Sequence, residues 1–410
     1  MGDLKNLRSE VVAMLDKKKI LYKITKNKNF NINVSIPFND LTINFLKDFS
    51  ILLKKERKIY QYPDLIYLIF WTSHRKIKEI KDKFTNKNIK LGRGLIFHIT
   101  PSNVPTNFIY SFFFGLLSGN SNIVKVPSKN FSEKDIILST INKLFKRKKY
   151  VKIKNSNFFI QYNEKKENTL NISSICDGRI IWGGDKTINE VRKFWIPERA
   201  IELTFADRYS LSVLNLNKFI RIKKNEIKSI AKKFFYDSYM LNQSACNSPH
   251  FVFWVGKKNK IYQNRFWHEL NNIAKEKFIL KNNVAVNKYS NLIKNIIDQK
   301  DFQNIKTFKN NLYVIDPNKN VKNIENIRGV SGIFFQKNIK NINELKKFIT
   351  KKCQTLTYFG LDKKQVKSFL LKNNLLGIDR VVPIGKGLDI NLIWDGYNVI
   401  ESLSRNITLE

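Results

Sequence analysis

An α/β fold built on parallel sheets is what this sequence predicts, and three observations predict it. From Gly94 onward, short apolar runs of strand length alternate with stretches of helical periodicity. Turns rich in Gly, Pro, Ser and Asn separate them. The chain has 410 residues, 42% of them hydrophobic, which suits two domains with cores of their own. Strands joined by helical crossovers make a parallel sheet covered on both faces.

Residues 1–90 read as mostly helical and contain little glycine. Phe45, Leu46, Phe49, Leu52 and Leu53 form one apolar helix face there. Residues 95–99 are a short apolar strand, and residues 100–103 a turn. Residues 108–117 read as a buried helix stopped by Ser118-Gly119-Asn120. A strand at 123–126 follows. Ser132 then caps a helix carrying Ile136, Ile137, Ile141, Leu144 and Phe145, with Asp135 as a capping-box variant. Strands at 158–161 and 179–182 come next, the latter running into Gly183-Gly184 and a helix with Ile188, Val191 and Trp195 on one face. A second α/β block opens with an amphipathic helix through Ile227, Ile230, Ala231, Phe234 and Phe235. It leads into a polar loop at 242–249 and a strand at 251–255. Helices near 266–273, 342–349 and 366–371 continue the alternation. The Asn- and Lys-rich stretches 281–290 and 317–326 read as surface loops, and no internal repeat stands out.

The 74 basic and 34 acidic residues give a net charge of +40. Such a charge raises nucleic acid as a partner, but that function needs basic residues clustered on one face with stacking aromatics. Here the lysines are dispersed and interleaved with Asn, Ile and Phe, as at 152–157 and 319–326, a compositional bias. The remaining role is a field that steers phosphorylated cofactors or an acidic carrier protein. Three cysteines, Cys176, Cys246 and Cys353, make neither a disulfide framework nor a paired metal motif. His74, His98, His250 and His268 lack metal-ligand spacing, so they read as structural and no metal is expected. The N-terminus is charged and lacks the apolar core of a signal peptide. The longest apolar runs, near 65–71 and 108–117, fall short of the roughly 18–20 residues that span a bilayer. A reducing, cytoplasmic location is the expectation.

Cys246 lies in Leu241-Asn242-Gln243-Ser244-Ala245-Cys246-Asn247-Ser248-Pro249, between an amphipathic helix and an apolar strand. This is how a rigid scaffold presents a nucleophile, with nearby backbone N–H groups favouring the thiolate. An inert, packed cysteine fits the context equally well. Cys176 and Cys353 lie in or beside apolar runs and read as structural. Asn103, in Thr100-Pro101-Ser102-Asn103-Val104-Pro105, is either a helix N-cap or an amide donor to an oxyanion. Gly183-Gly184, between strand and helix, is either a plain turn or a place for backbone to approach a phosphate. Lys125 ends a strand before Val126-Pro127-Ser128 and is either a solvated charge or a ligand of a ribose or 2′-phosphate. Glu202, flanked by Ile201 and Leu203, is either an outward-pointing charge or a base with a raised pKa.

In this order the segments resemble the aldehyde dehydrogenase superfamily. The Pro101-Ser102-Asn103-Val104-Pro105 turn, the Leu116-Leu117-Ser118-Gly119-Asn120 stop and the Ile123-Val124-Lys125-Val126-Pro127-Ser128 strand resemble its cofactor side. The segment around Cys246 resembles its nucleophile loop. The C-terminal Arg380-Val381-Val382-Pro383-Ile384-Gly385, with Leu388-Asp389-Ile390 and Trp394-Asp395-Gly396-Tyr397, is similar to one branch, the LuxC-type acyl-CoA (fatty acid) reductases. The resemblance spans residues 90–405.

It implies an aldehyde dehydrogenase-like fold, a Rossmann-type cofactor domain plus an α/β catalytic domain. Residues 1–90 would be a helical N-terminal segment of the cofactor domain. Residues 91–215 would be the dinucleotide-binding domain, completed by about 376–410, and residues 216–375 the catalytic domain carrying Cys246. It implies NADPH as cofactor. Thr100, Pro101, Ser102, Lys125 and Ser128 would lie on the cofactor side, Lys125 facing the adenosine ribose and its 2′-phosphate, with Gly183 and Gly184 along the pyrophosphate. Cys246 would accept an acyl group, while Asn103 and the Cys246 backbone N–H hold the oxyanion. The implied reaction reduces an acyl thioester to an aldehyde. The implied partners are acyl-CoA or an acylated carrier or partner protein, together with an acyl-activating enzyme; a homo-oligomer is compatible. Glu202 matches the general base of hydrolytic members, which supports the competing reaction, NAD(P)-dependent oxidation of an aldehyde. Two departures stand out. No Glu-Ile-Phe-Gly-Pro motif occurs, and Arg328-Gly329-Val330-Ser331-Gly332 stands near its place. The glutamine before the cysteine is one residue farther away than in the oxidising enzymes.

Overall fold

Leu95–Ile99 is buried at every position, as a strand covered on both faces of a parallel sheet must be. The computed structural model describes residues 30–84, 88–102, 104–162, 166–299, 302–318, 321 and 323–410. The chain divides into two units, residues 1–207 with 391–410, and residues 208–390.

In the first unit the strands are β1 (Ile89–Gly92), β2 (Leu95–Ile99), β3 (Ser121–Lys125), β4 (Asn157–Ile160), β5 (Gly178–Trp182) and β6 (Ile201–Phe205). All but β1 form one sheet in the order β4-β3-β2-β5-β6, parallel throughout. The chain steps outward from β2 to β4 and then returns past β2 to β5. The strand order therefore reverses between β2 and β5, where an open parallel sheet leaves a crevice at its carboxyl edge.

The apolar face anticipated at residues 45–53 lies in the helix Asp40–Lys54, with Phe45, Leu46, Phe49 and Leu53 buried and Asn39 accepting from the Thr42 N–H as N-cap. Phe49 packs edge-on to Phe113 at 5.1 Å, on the buried helix Asn107–Leu117. The helix Asp40–Lys54 thus packs on the helix Asn107–Leu117, which itself lies against β2 and β3. The helix Ser132–Phe145 departs from expectation at its start. Phe131 is the N-cap residue and Ser132 already helical, so no side chain caps this end, and Glu133 and Asp135 complement the helix dipole instead.

Asp64, in the first turn of the helix Pro63–Trp71, is buried. Burial, reinforced by Glu133, pushes its carboxyl up to about 7. The folded state then keeps a proton that the unfolded chain releases near pH 4, so this residue lowers stability as pH rises from about 4 to about 7. Asp64→Asn, which retains the oxygen accepting from the Leu65 N–H, is expected to raise Tm by several degrees at pH 8 and to leave it unchanged near pH 4. An equal shift at both pH values would refute this account.

The second unit holds β7 (Tyr209–Asn215), β8 (Pro249–Val255), β9 (Phe302–Phe308), β10 (Leu312–Pro317), β11 (Ile333–Ile339), β12 (Cys353–Phe359) and β13 (Arg380–Pro383). Their order is β13-β12-β7-β8-β11-β10-β9, parallel except for the edge strand β9. The helices Lys224–Ser238 and Lys260–Lys277 contribute Phe234, Phe266 and Trp267 to one core with Trp254 and Phe334. Leu292, Phe348 and Phe369 belong to another.

Residues 281–290, expected as a loop, belong instead to the helix Asn282–Gln299. Its buried stripe is Lys288, Leu292 and Asn295, so two of three inward positions are polar and the periodicity is hidden. Lys288 is accommodated because its Nζ donates to the Asn310 carbonyl at 2.8 Å and sits 4.3 Å from the centre of the Tyr313 ring. Residues 342–348 form a 3-10 helix where an α-helix was expected.

The unit boundaries also differ from the sequence-based ones. β7 begins at Tyr209 and pairs with β8 and β12, so the second unit starts before residue 216. β13 pairs with β12, which draws residues 376–390 into the second unit and leaves 391–410 in the first. There β14 (Ile393–Trp394) and β15 (Tyr397–Asn398) form a hairpin whose two turn residues, Asp395 and Gly396, have φ of 47° and 77°. Both values are positive, as a tight two-residue hairpin turn requires. The last strand, β16 (Ser404–Ile407), pairs antiparallel with β1.

Candidate active site

In the first unit, the carboxyl edge of the sheet collects the anticipated cofactor residues. Thr100, Pro101 and Ser102 follow β2, Lys125 ends β3 with Ser128 just beyond, and Gly183 and Gly184 follow β5. β2 and β5 flank the reversal of strand order and β3 is the next strand beside β2, so the three segments lie along one edge of the sheet. The Thr100 hydroxyl donates to the Lys125 carbonyl at 2.7 Å, and Lys125 Nζ lies 4.6 Å from the centre of the Tyr162 ring. Lys134 Nζ donates to the carbonyls of Pro127 and Lys129, and Gln161 to that of Ser128, which fixes the loop after β3. Gly184 is the N-cap residue of the helix Asp185–Arg192, and a Cβ there would meet nothing within 4 Å. Open space beside a helix N-terminus is what a phosphate needs. Asn103 lies outside the described residues.

The Trp394-Asp395-Gly396-Tyr397 hairpin belongs to this unit. Tyr397 packs edge-on to Phe205 at 5.8 Å, and Phe205 stacks on Trp182 at 3.8 Å. The motif therefore braces the carboxyl ends of β5 and β6.

Glu202 is placed away from that edge. It is the second residue of β6, in register with Arg179 of β5. One carboxylate oxygen accepts from Arg179 at 2.8 and 2.5 Å, and the other from Arg192 at 2.8 Å. With both oxygens held by guanidinium groups, it binds Arg179, a cation only 2% exposed, and is a structural counter-ion. The expectation that it sits at a strand end, ready to act as a base, is corrected by this geometry.

The second unit builds the loop that carries Cys246. The helix Lys224–Ser238 ends, and Asn242 and Gln243 turn the chain with φ of 51° and 60°. Gln243 is buried. Its amide donates to the carbonyls of Ile333 and Pro249 at 2.9 and 3.1 Å and accepts from the Gly332 N–H at 3.1 Å. The Ser331 N–H donates to the Asn242 carbonyl at 3.2 Å, and the His250 ring meets the Gly329 carbonyl at 3.0 Å. Arg328-Gly329-Val330-Ser331-Gly332 thus braces this loop. The Cys246 carbonyl accepts from the Ser210 hydroxyl of β7 at 2.6 Å, and Asn247 Nδ2 donates to the Gly387 carbonyl at 2.7 Å. Cys246 is held before and after its own position, at the amino edge of the second sheet, and its side chain is partly exposed.

The other two thiols are buried. Cys176 donates to the Ser173 carbonyl at 3.2 Å and burial pushes its thiol up to about 12; burial likewise raises that of Cys353. His98 and His250 are buried and held neutral, with pKa values of about 4 and about 3. His98 bonds to Ser111 and Asn122. Among the described residues, no group of three or more His, Cys, Asp or Glu side chains is placed to hold a metal. No helix among them is long and apolar enough to cross a membrane.

A further set of residues stands beside the Cys246 loop. Arg380 donates to the carbonyls of Gly387 and Lys386 at 2.5 and 2.6 Å. Asp237, at the end of the helix Lys224–Ser238, accepts the Gly385 and Gly387 N–H groups at 2.6 and 2.8 Å. The motif that runs from Arg380 therefore meets the Cys246 loop at the Gly387 carbonyl. Sequence reasoning used it for resemblance only; a lone acid beside Phe234 and Phe235, on a helix face otherwise apolar, was the available signal for Asp237.

A family described as acyl-CoA reductase (LuxC) matches residues 75–406. A long-chain acyl-protein thioester reductase of Aliivibrio fischeri is 25% identical over 184 residues, 45% of this chain and 36% of that protein. The match thus spans about a third of that relative's length. Among solved structures, a salicylaldehyde dehydrogenase of Pseudomonas putida aligns with a TM-score of 0.62 at 10% identity, over 90% of this chain and 85% of that one. An AldH of Staphylococcus aureus aligns with a TM-score of 0.60 at 12% identity, over 98% and 92%. At such identities these likenesses establish the fold, which is that of the aldehyde dehydrogenases.

Proposed function

The chain belongs to the LuxC family of acyl-CoA reductases, and we propose that it reduces an acyl thioester, fatty acyl in character, to an aldehyde through an acyl group carried on Cys246. The observation that carries this reading is the contrast among three thiols. Cys246 alone is partly exposed, on a loop pinned by Ser210, Gln243 and Asn247, while Cys176 and Cys353 are buried.

The Cys246 thiolate attacks the thioester carbonyl, and the carrier leaves as its thiolate, which takes a proton from solvent. The Cys246 backbone N–H stabilises the oxyanion; one such donor contributes about 2.7–4 kcal/mol. When bound, the nicotinamide supplies the hydride that reduces the acyl carbon. The thiohemiacetal on Cys246 then expels the aldehyde and restores the thiolate. No step activates water, so the ion-paired state of Glu202 costs the cycle nothing.

The first unit fits a dinucleotide. Gly184 and the helix start after it would receive the pyrophosphate, and Thr100, Pro101 and Ser102 would line the crevice. Lys125 ends β3 and Lys129 lies on the loop after it, and residues 125–132 contain no carboxylate to repel a 2′-phosphate. NADPH is therefore the cofactor, and its KM is expected to be about tenfold or more below that of NADH, as one charge-assisted hydrogen bond would give. The acyl donor is acyl-CoA or an acylated protein, the latter delivered by an acyl-activating partner. The test is a panel of acyl-CoAs of graded length and one acylated carrier protein, with NADPH absorbance and aldehyde release followed together. Rapid NADP⁺ reduction by an aldehyde in the absence of thiol, with no thioester reduction, would replace this reading with the oxidative one.

A further inference from the structure

Asp237 has no place in the chemistry just described, yet it is 1% exposed and each of its oxygens holds a different backbone N–H. Those belong to Gly385 and Gly387. A Cβ on Gly387 would stand 2.9 Å from Asp237 Cγ, closer than a side chain tolerates, so the turn can approach the carboxylate only with glycine there. The Gly387 carbonyl points the other way and receives two donors, Asn247 Nδ2, next to the nucleophile, and Arg380 Nη1. One peptide group thus links a buried carboxylate, the Cys246 loop and a guanidinium.

We infer that Asp237 is a positioning residue for the nucleophile. Through the turn at 385–387 it holds Arg380 beside the Cys246 loop, and Arg380 favours the thiolate. This rests on the reading of Cys246 as the reactive group.

The electrostatics agree with this arrangement. Burial holds the Arg380 guanidinium below its ordinary value, and Asp389, Asp237 and Cys246 act in the opposite direction. The charged groups around Asp237 are few. Its own helix offers Lys233, whose aliphatic stem lies against Gly385, and the 380–389 segment offers Arg380, together with Asp389 paired to Lys386 at 3.3 Å. Burial pushes the Asp237 carboxyl up to about 7, against the pull of the two N–H donors. Below that pH it gains a proton, one oxygen becomes a poor acceptor, and the turn loses a tether.

The wild type, Asp237→Asn and Arg380→Gln are treated with iodoacetamide from about pH 5 to about pH 9, and the Cys246 peptide is quantified by mass spectrometry. The wild-type rate should fall below neutrality more steeply than a single ionisation allows. Both variants should be alkylated about tenfold more slowly at pH 7, with the midpoint about one unit higher, because an opposite charge has been lost or displaced. Asp237→Asn should also reduce the profile to a single ionisation. A profile of either variant that superimposes on the wild type overturns the inference; should Asp237→Asn fail to fold, Arg380→Gln decides alone. Alkylation needs neither acyl donor nor cofactor. Shifted profiles without thioester reduction would therefore remove the proposed function and leave this linkage standing.

Discussion

Cys246→Ala is expected to eliminate covalent labelling by radiolabelled acyl-CoA and to reduce NADPH consumption to background, a loss on the order of 10⁴-fold or more. The size follows from the role: without the sulfur there is no acyl-enzyme, and the remaining oxyanion donors act on nothing. The variant should still fold. The bonds that shape the loop use the Cys246 carbonyl, the Gln243 amide and the Asn247 amide, and none of these requires the thiol. Its stability should match the wild type within about 1 kcal/mol, as for a partly exposed substitution that leaves those loop-shaping bonds in place. Labelling that persists in the folded variant would assign the acyl group to another residue. Cys176 and Cys353 are poor substitutes, since burial keeps both thiols protonated.

Glu202→Ala should have the converse profile, with a large loss of stability and little change in thioester reduction per folded molecule. Arg179 is 2% exposed and would lose its counter-ion, while Ser173 and the Phe194 carbonyl would remain as its acceptors. Breaking a buried pair from one side costs about 3–5 kcal/mol. In a chain of this size that is a fall in Tm of roughly 5 °C or more. Thermal unfolding and kcat measured on one preparation separate the alternatives. An unchanged Tm with abolished turnover would restore Glu202 as the base and with it the oxidative reaction.

These two residues also show how much of the site was legible in the sequence. Cys246 was legible as a cysteine in a polar segment between an amphipathic helix and an apolar strand, a context that an inert thiol fits equally well, and the family resemblance singled it out. Glu202 was legible as a charge between apolar neighbours, but its partners are 23 and 10 residues away in the chain and meet it only through strand register and the packing of the following segment. The helix Asn282–Gln299 was missed for a related reason. Its inward positions include Lys288 and Asn295, whose burial depends on acceptors supplied from elsewhere in the fold.

What the sequence alone determined is the alternation of strands and helices from Gly94, the parallel character of both sheets, the family, and the cysteine on which the proposed chemistry turns. These are local or periodic properties, carried by neighbours in the chain. Tertiary structure decided where the units divide, since β13 joins the sheet of β7 and β12 and takes the segment from Arg380 to Ile390 with it. It also decided that Glu202 pairs with Arg179 and Arg192 and that Asp237 reaches the Cys246 loop through Gly387. Charge pairing and backbone hydrogen bonds act over a few ångströms in space, between residues that the chain separates by 150 positions in the case of Asp237 and Gly387, and no periodicity encodes them.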